Sequence, residues 1–149
     1  MELRKVILRY LDGRTVPAFA PIFDAGSDPI SVADIGGLPL RVPLDELKAV
    51  FYVRTFSGNP EYDPIKDPAD LPRPPNGRVL VLDFKDGERI YGDVPEADVD
   101  ASKGFFVTVL DPEDNNLLLY VNPGSLSAPP SRSQLPGPGP GSPEALFGG

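Results

Sequence analysis

The chain has no cysteine and no histidine. Without cysteine no disulfide can form, and no thiolate can serve as nucleophile or metal ligand. Without histidine the usual catalytic triads lose their base and most zinc sites lose a ligand. Long apolar runs are missing as well. No stretch approaches the roughly 20 apolar residues that a membrane span needs. The opening MELRKVILRYLDG has charges on both sides of a short apolar run, and lacks a signal peptide's long apolar region and small-residue cleavage site. These absences point to a soluble, cytoplasmic protein with no membrane association and no cofactor; a thiol-free chain suits a reducing compartment.

What is present in excess is turn chemistry. Proline is 20 and glycine 15 of 149 residues, both above the average of roughly 5% and 7%. Much of the chain is therefore expected as turn, linker or tail. The hydrophobic fraction of 40% allows a modest core, enough for one or two small domains.

The formal charge is −8, and it is placed unevenly. Residues 1–58 carry seven basic and seven acidic side chains, whereas residues 59–127 carry six basic and fourteen acidic ones, which is the whole excess. Such a surface repels phosphate backbones and disfavours nucleic acid as a partner.

A repeat organises the chain. VILRYLDGRTVPA, from residue 6, aligns with LVLDFKDGERIYG, from residue 80, so that Asp12-Gly13 falls on Asp86-Gly87, Leu8 on Leu82 and Val16 on Ile90. Asp-Gly between two β-prone runs predicts a hairpin closed by a type I′ turn. In the first copy further strands are expected at 29–34, 38–43 and 48–56, with one turn of helix at 44–47. In the second copy GFFVTVLD and NLLLYVN take the strand roles, with Asp111 to Asn116 as the turn between them. Short strands with tight turns predict an all-β protein built as two small SH3-like or Sm-like barrels in tandem. The expected divisions are 1–58 for the first barrel, 59–77 for a proline-rich linker, 78–127 for the second barrel and 128–149 for a disordered Pro/Gly-rich tail. Val6, Leu8, Val16, Phe19, Ile30, Val32, Leu40, Val50, Tyr52 and Phe56 are the expected core of the first copy. Tyr62, Ile65 and Leu71 are the linker residues able to pin it to a barrel face, and Ala145-Leu146-Phe147 is the last apolar cluster of the tail.

The second copy is expected to lack a clear fifth strand, because Pro129-Pro130 cannot donate to a ladder. Two readings of the strand at 48–56 stand open. It closes the first barrel alone, or it closes the first and also docks the second.

Little in the sequence points to catalytic or metal chemistry. Carboxylates are plentiful, as in Asp45-Glu46 and DPEDNN at 111–116, but the latter lacks the glycine and terminal glutamate of a calcium loop. Neither a phosphate-cradling glycine loop nor a nucleophile–base pair can be named, so no enzyme and no metal site is expected. A cyclic-dinucleotide receptor of PilZ type needs paired arginines with three residues between them; Arg73 and Arg78 are separated by four, the wrong spacing for bidentate phosphate contact. The opening strand-turn-strand does resemble that of Sm proteins, without their base-contacting Asp-x-x-x-Asn loop.

Lys5–Arg14, KVILRYLDGR, and Val42–Asn59, VPLDELKAVFYVRTFSGN, resemble the opening and close of a bacterial family of small tandem β-barrel domains associated with signalling proteins. The resemblance implies a β module with no assigned activity and brings no catalytic residues. The function expected is therefore a non-catalytic protein-interaction or regulatory module. Arg54, Phe56 and Asn59, at the end of the 48–56 strand, are the candidate partner contacts, and a free edge strand offers β-augmentation. The alternative is an Sm-like nucleic-acid or nucleotide binder, with Phe51, Tyr52 and Phe56 as stacking surfaces.

Overall fold

The computed structural model describes residues 2–58, 61–62, 70–72, 79–93 and 102–133, with residues 131–133 as backbone only. It is all-β. Among the described residues ten strands form one antiparallel sheet: β1 (Arg4–Tyr10), β2 (Thr15–Ala20), β3 (Ile30–Asp34), β4 (Pro39–Val42), β5 (Leu47–Val53), β6 (Val79–Asp83), β7 (Arg89–Asp93), β8 (Phe105–Val109), β9 (Asn116–Val121) and β10 (Ser131–Ser133). One 3₁₀ turn, Leu44–Glu46, precedes β5, and another, Pro123–Ser125, precedes β10.

The strand order is β10-β6-β7-β8-β9-β5-β1-β2-β3-β4. It contains one arrangement twice. In each half the fifth strand pairs with the first, and the other four follow as a meander. The 3₁₀ turn falls in the same place in both. Among the described strands the two halves thus read in the same order. The second copy's fifth strand is β10, three residues that follow directly on Pro129-Pro130 and lie at the sheet edge, within the segment expected as tail. The prolines keep it short and marginal, as their missing N–H groups require.

Three similar hairpin turns correct one expectation. Gly13, Gly37 and Gly87 have φ of 95°, 87° and 94°, and among the described residues no non-glycine has positive φ. A type I′ turn needs two such residues. Here Tyr10 donates to Arg14 O while Gly13 donates to Tyr10 O, and Phe84, Glu88 and Gly87 repeat the pattern. This is a three-residue loop with glycine in the left-handed position. Asp12 and Asp86 each accept from the backbone N–H two residues on, at 2.9 and 3.0 Å, which sets the bend.

The core is in two clusters. One gathers Val6, Leu8, Ala18, Ala20, Ile30, Val32, Val42, Leu44, Leu47, Val50, Tyr52 and Tyr120; the other Ala49, Phe51, Val53, Leu80, Leu82, Phe84, Phe105, Val107, Leu119, Val121 and Leu126. In a flat sheet the outer strands of five would lie about 19 Å apart. Side chains from β4 and β5 nonetheless share the first cluster, so this half of the sheet curls around it.

Strand β5 settles the question left open by the sequence. All seven of its residues are buried. It pairs with β1 on one side and β9 on the other. Val50 and Tyr52 face the first cluster, and Ala49, Phe51 and Val53 the second. In return, β9 of the second half sends Tyr120 into the first cluster, where its hydroxyl donates to Ser27 O at 2.7 Å. Each half thus completes the other's core.

Six of the ten expected core residues of the first half lie in its cluster, and Val16 packs against it. Three do not. Ala18 and Ala20 take the inward parity of β2, which turns Phe19 outward. Leu40 lies opposite Val32 on the outermost strand and stays 37% exposed. Phe56 packs against the second cluster instead.

Candidate functional site

The antiparallel order brings the start of β1, the end of β5 and the start of β9 to one end of the sheet: Val6 pairs with Tyr52, and Tyr52 with Leu118. Just beyond that row the chain opens a groove of about 340 Å³. Its floor is Tyr52 and Leu118. Its walls carry Leu3, Ile22 and Leu117, which are 52, 48 and 37% exposed, and the cations Arg4, Lys5 and Arg54. Among the described residues Glu2 is the one acidic side chain along it, 3.4 Å from Arg4. A chain of net charge −8 thus presents a locally positive, apolar groove.

The floor is held rigidly. The Tyr52 hydroxyl donates to Pro21 O at 2.5 Å, next to Ile22, and burial pushes its pKa well up, so it stays neutral and keeps that bond.

Of the three expected contact residues, Arg54 lies in this groove. Its side chain also clamps the β8–β9 turn, Nη2 donating to Pro112 O at 2.6 Å and Nε to Asp114 O at 3.1 Å. The adjacent Thr55 and Asn115 bond reciprocally: Thr55 N donates to Asn115 Oδ1 at 3.1 Å, and Asn115 Nδ2 to Thr55 O at 3.0 Å. Phe56 stands edge-on to Phe19, ring centres 5.5 Å apart, with Lys5 Nζ 6.0 Å from its ring. Lys5 therefore links Phe56 to the groove. Asn59 lies outside the described residues. Strand β5 itself is paired on both sides and cannot accept a partner strand. The edge at β4 is blunted: Pro39 has no N–H to offer and Arg41 is charged.

A second cleft, of about 280 Å³, lies at the opposite end of β1 and β5, between the two Asp-Gly hairpins. Lys48 forms its base, bonded to Asp86 at 2.6 Å and to Glu88, with its ammonium over the Phe84 ring at 4.7 Å. A third cavity, of about 260 Å³, is lined by Leu71, Ile90, Tyr91, Val109 and Asp111. Beside it Tyr62 bonds to the Asp111 carboxylate at 2.6 and 2.7 Å. Tyr62 and Leu71, two of the three expected pinning residues, thus do hold the linker to the second half; Ile65 lies outside the described residues.

Leu3, Ile22 and Leu117 are not singled out by the sequence. Leu117 carries only an ambiguous signal: it opens the apolar run NLLLYV, but a strand between two core clusters can bury both faces, as β5 does, so the run by itself singles out no exposed residue. Leu3 and Ile22, single apolar residues beside charge or proline, carry none. Among the described residues, no three acidic side chains come together as a metal site would require, and no helix is long and apolar enough to cross a membrane.

Fold and groove define an all-β protein that presents a basic, apolar groove where its two halves meet. The chain belongs to a family of unknown function, DUF6982, whose profile matches residues 2–129. No curated protein and no solved structure matches it.

Proposed function

We propose that this protein is a non-catalytic interaction module of the cytoplasm, built from two SH3-like units fused through β5 and β9, and that it holds a protein segment in the groove between Leu3, Ile22 and Leu117. The single observation that carries this reading is the exposure of three large apolar side chains around one concave site, ringed by Arg4, Lys5 and Arg54. Apolar side chains scattered singly need no explanation; grouped in a groove with a polar rim they mark a contact surface. The twice-used strand order and the two separate core clusters support the SH3-like reading of the halves. The thiol-free composition suits the compartment.

The test is affinity capture with the full chain, an I22E/L117E variant and an L38E/L40E control on the remote β4 edge. A partner held by the groove is retained by wild type and the control and lost with I22E/L117E. Equal capture by all three sinks the reading. The three cations also favour a second reading, an Sm-like binder of single-stranded nucleic acid. Anisotropy titration with a labelled oligonucleotide at two salt concentrations tests it, since phosphate contacts weaken steeply with salt.

A further inference from the structure

The groove is cationic and apolar, and the chain itself holds a segment of the complementary kind outside the described residues. From 136 to 149 the sequence is wholly proline, glycine and serine save for one compact group, Glu144-Ala145-Leu146-Phe147. Glu144 is the only acidic residue of that stretch, and it stands two positions before the apolar pair.

The geometry allows the two to meet. Ser133 ends β10. From β10 to β5 is five strand positions, about 24 Å sideways in a flat sheet, and a displacement along the whole seven-residue β5 adds about 23 Å at right angles, about 33 Å in all. The thirteen residues from Ser133 to Leu146 span up to about 43 Å when extended. A tether of this length keeps its end at an effective concentration on the order of millimolar.

We propose that residues 143–147 occupy the groove in cis, with Leu146 and Phe147 against Leu3, Ile22 and Leu117, and Glu144 beside Arg4 and Lys5. This rests on the groove being a docking site. It adds a regulatory consequence: an outside ligand must displace the chain's own segment. If the isolated contact has a dissociation constant about one-tenth of the tether's effective concentration, cis occupancy weakens an outside ligand by about tenfold.

The experiment uses the full chain, methyl-labelled at isoleucine and leucine, as wild type and as L146S/F147S. The expected result is a difference in the methyl resonances of Leu3, Ile22 and Leu117, with Leu38 and Leu40 unchanged. A peptide of residues 140–149 added to the double variant restores the wild-type positions saturably, less well at high salt. Identical groove resonances in the two chains, or no response to the peptide, overturns the inference. The two readings fail separately: cis occupancy falls while the interaction module stands if those resonances are identical yet I22E/L117E still abolishes partner capture.

Discussion

The Lys48 ammonium on β5 donates to the Asp86 carboxylate in the β6–β7 hairpin at 2.6 Å, joining the two halves across 38 positions of sequence. The pair is unequal. The lysine side chain is 9% exposed, whereas Asp86 and Glu88 are 54 and 41% exposed. Removing the carboxylates leaves a buried, unpaired charge; removing the lysine leaves two carboxylates that water can solvate. D86N/E88Q is therefore expected to lose about 3 kcal/mol and Lys48→Met about 1 kcal/mol or less. Urea unfolding of both variants checks the order, and the reverse order would refute it.

The same contact sets an acid limb. The hydrogen bond from Lys48 holds the Asp86 carboxyl below its ordinary value. A folded value below the unfolded one, about 3.9, means the stabilisation is complete above about pH 4 and is lost as pH falls through the folded value. Stability measured from pH 6 down to pH 2 should fall less steeply in Lys48→Met than in wild type.

Tyr62 should ionise late. Its hydrogen bond to Asp111, followed by desolvation and that carboxylate's charge, pushes its pKa up to about 12. In Asp111→Asn the tyrosinate absorbance of one tyrosine is expected to move back toward about 10. Because the folded value is the higher one, the linker's attachment is fully present below about pH 10 and is lost as pH rises through about 12. Proteolysis within 63–69 should be faster in Asp111→Asn at neutral pH; an unchanged rate would show that the contact does not hold the linker.

Gly92, on β7, leaves no room for a side chain against β8. A methyl there would strike the Val107 side chain and lie 2.8 Å from Thr108 O. Gly92→Ala is expected to cost about 1–3 kcal/mol. Gly36→Ala, whose methyl would meet only Asp34 Oδ1 at 3.4 Å, is the near-neutral comparison in thermal unfolding.

Arg54 joins the groove to the β8–β9 turn. Lysine cannot reproduce its two donations to Pro112 O and Asp114 O. Arg54→Lys is expected to cost about 1 kcal/mol, since the site is exposed, and to speed exchange of the Arg54 amide, which donates to Asn115 O at 2.9 Å. Exchange as slow as in wild type would show that the guanidinium is not needed to hold the turn.

Much of the fold is legible in the sequence. The Asp-Gly pairs place the hairpins at β1–β2 and β6–β7, and DPISVAD and GGLPLRVP place β3 and β4 within a residue or two. The type of turn is not legible, because Asp-Gly serves both a two-residue loop and a three-residue loop with glycine last. The candidate site is legible only at Arg54. Leu3 and Ile22 are far apart in sequence from Leu117, and no local pattern records that an antiparallel register will bring them together.

Alternation and turn chemistry act over a few neighbouring residues, so the positions of the strands and their turns are written locally in the chain. The sharing of β5 between the halves is not. LKAVFYV is apolar at nearly every position, so its pattern names no inner face. Both faces become inner ones only when β1 and β9 flank it and each half of the sheet curls to its own side.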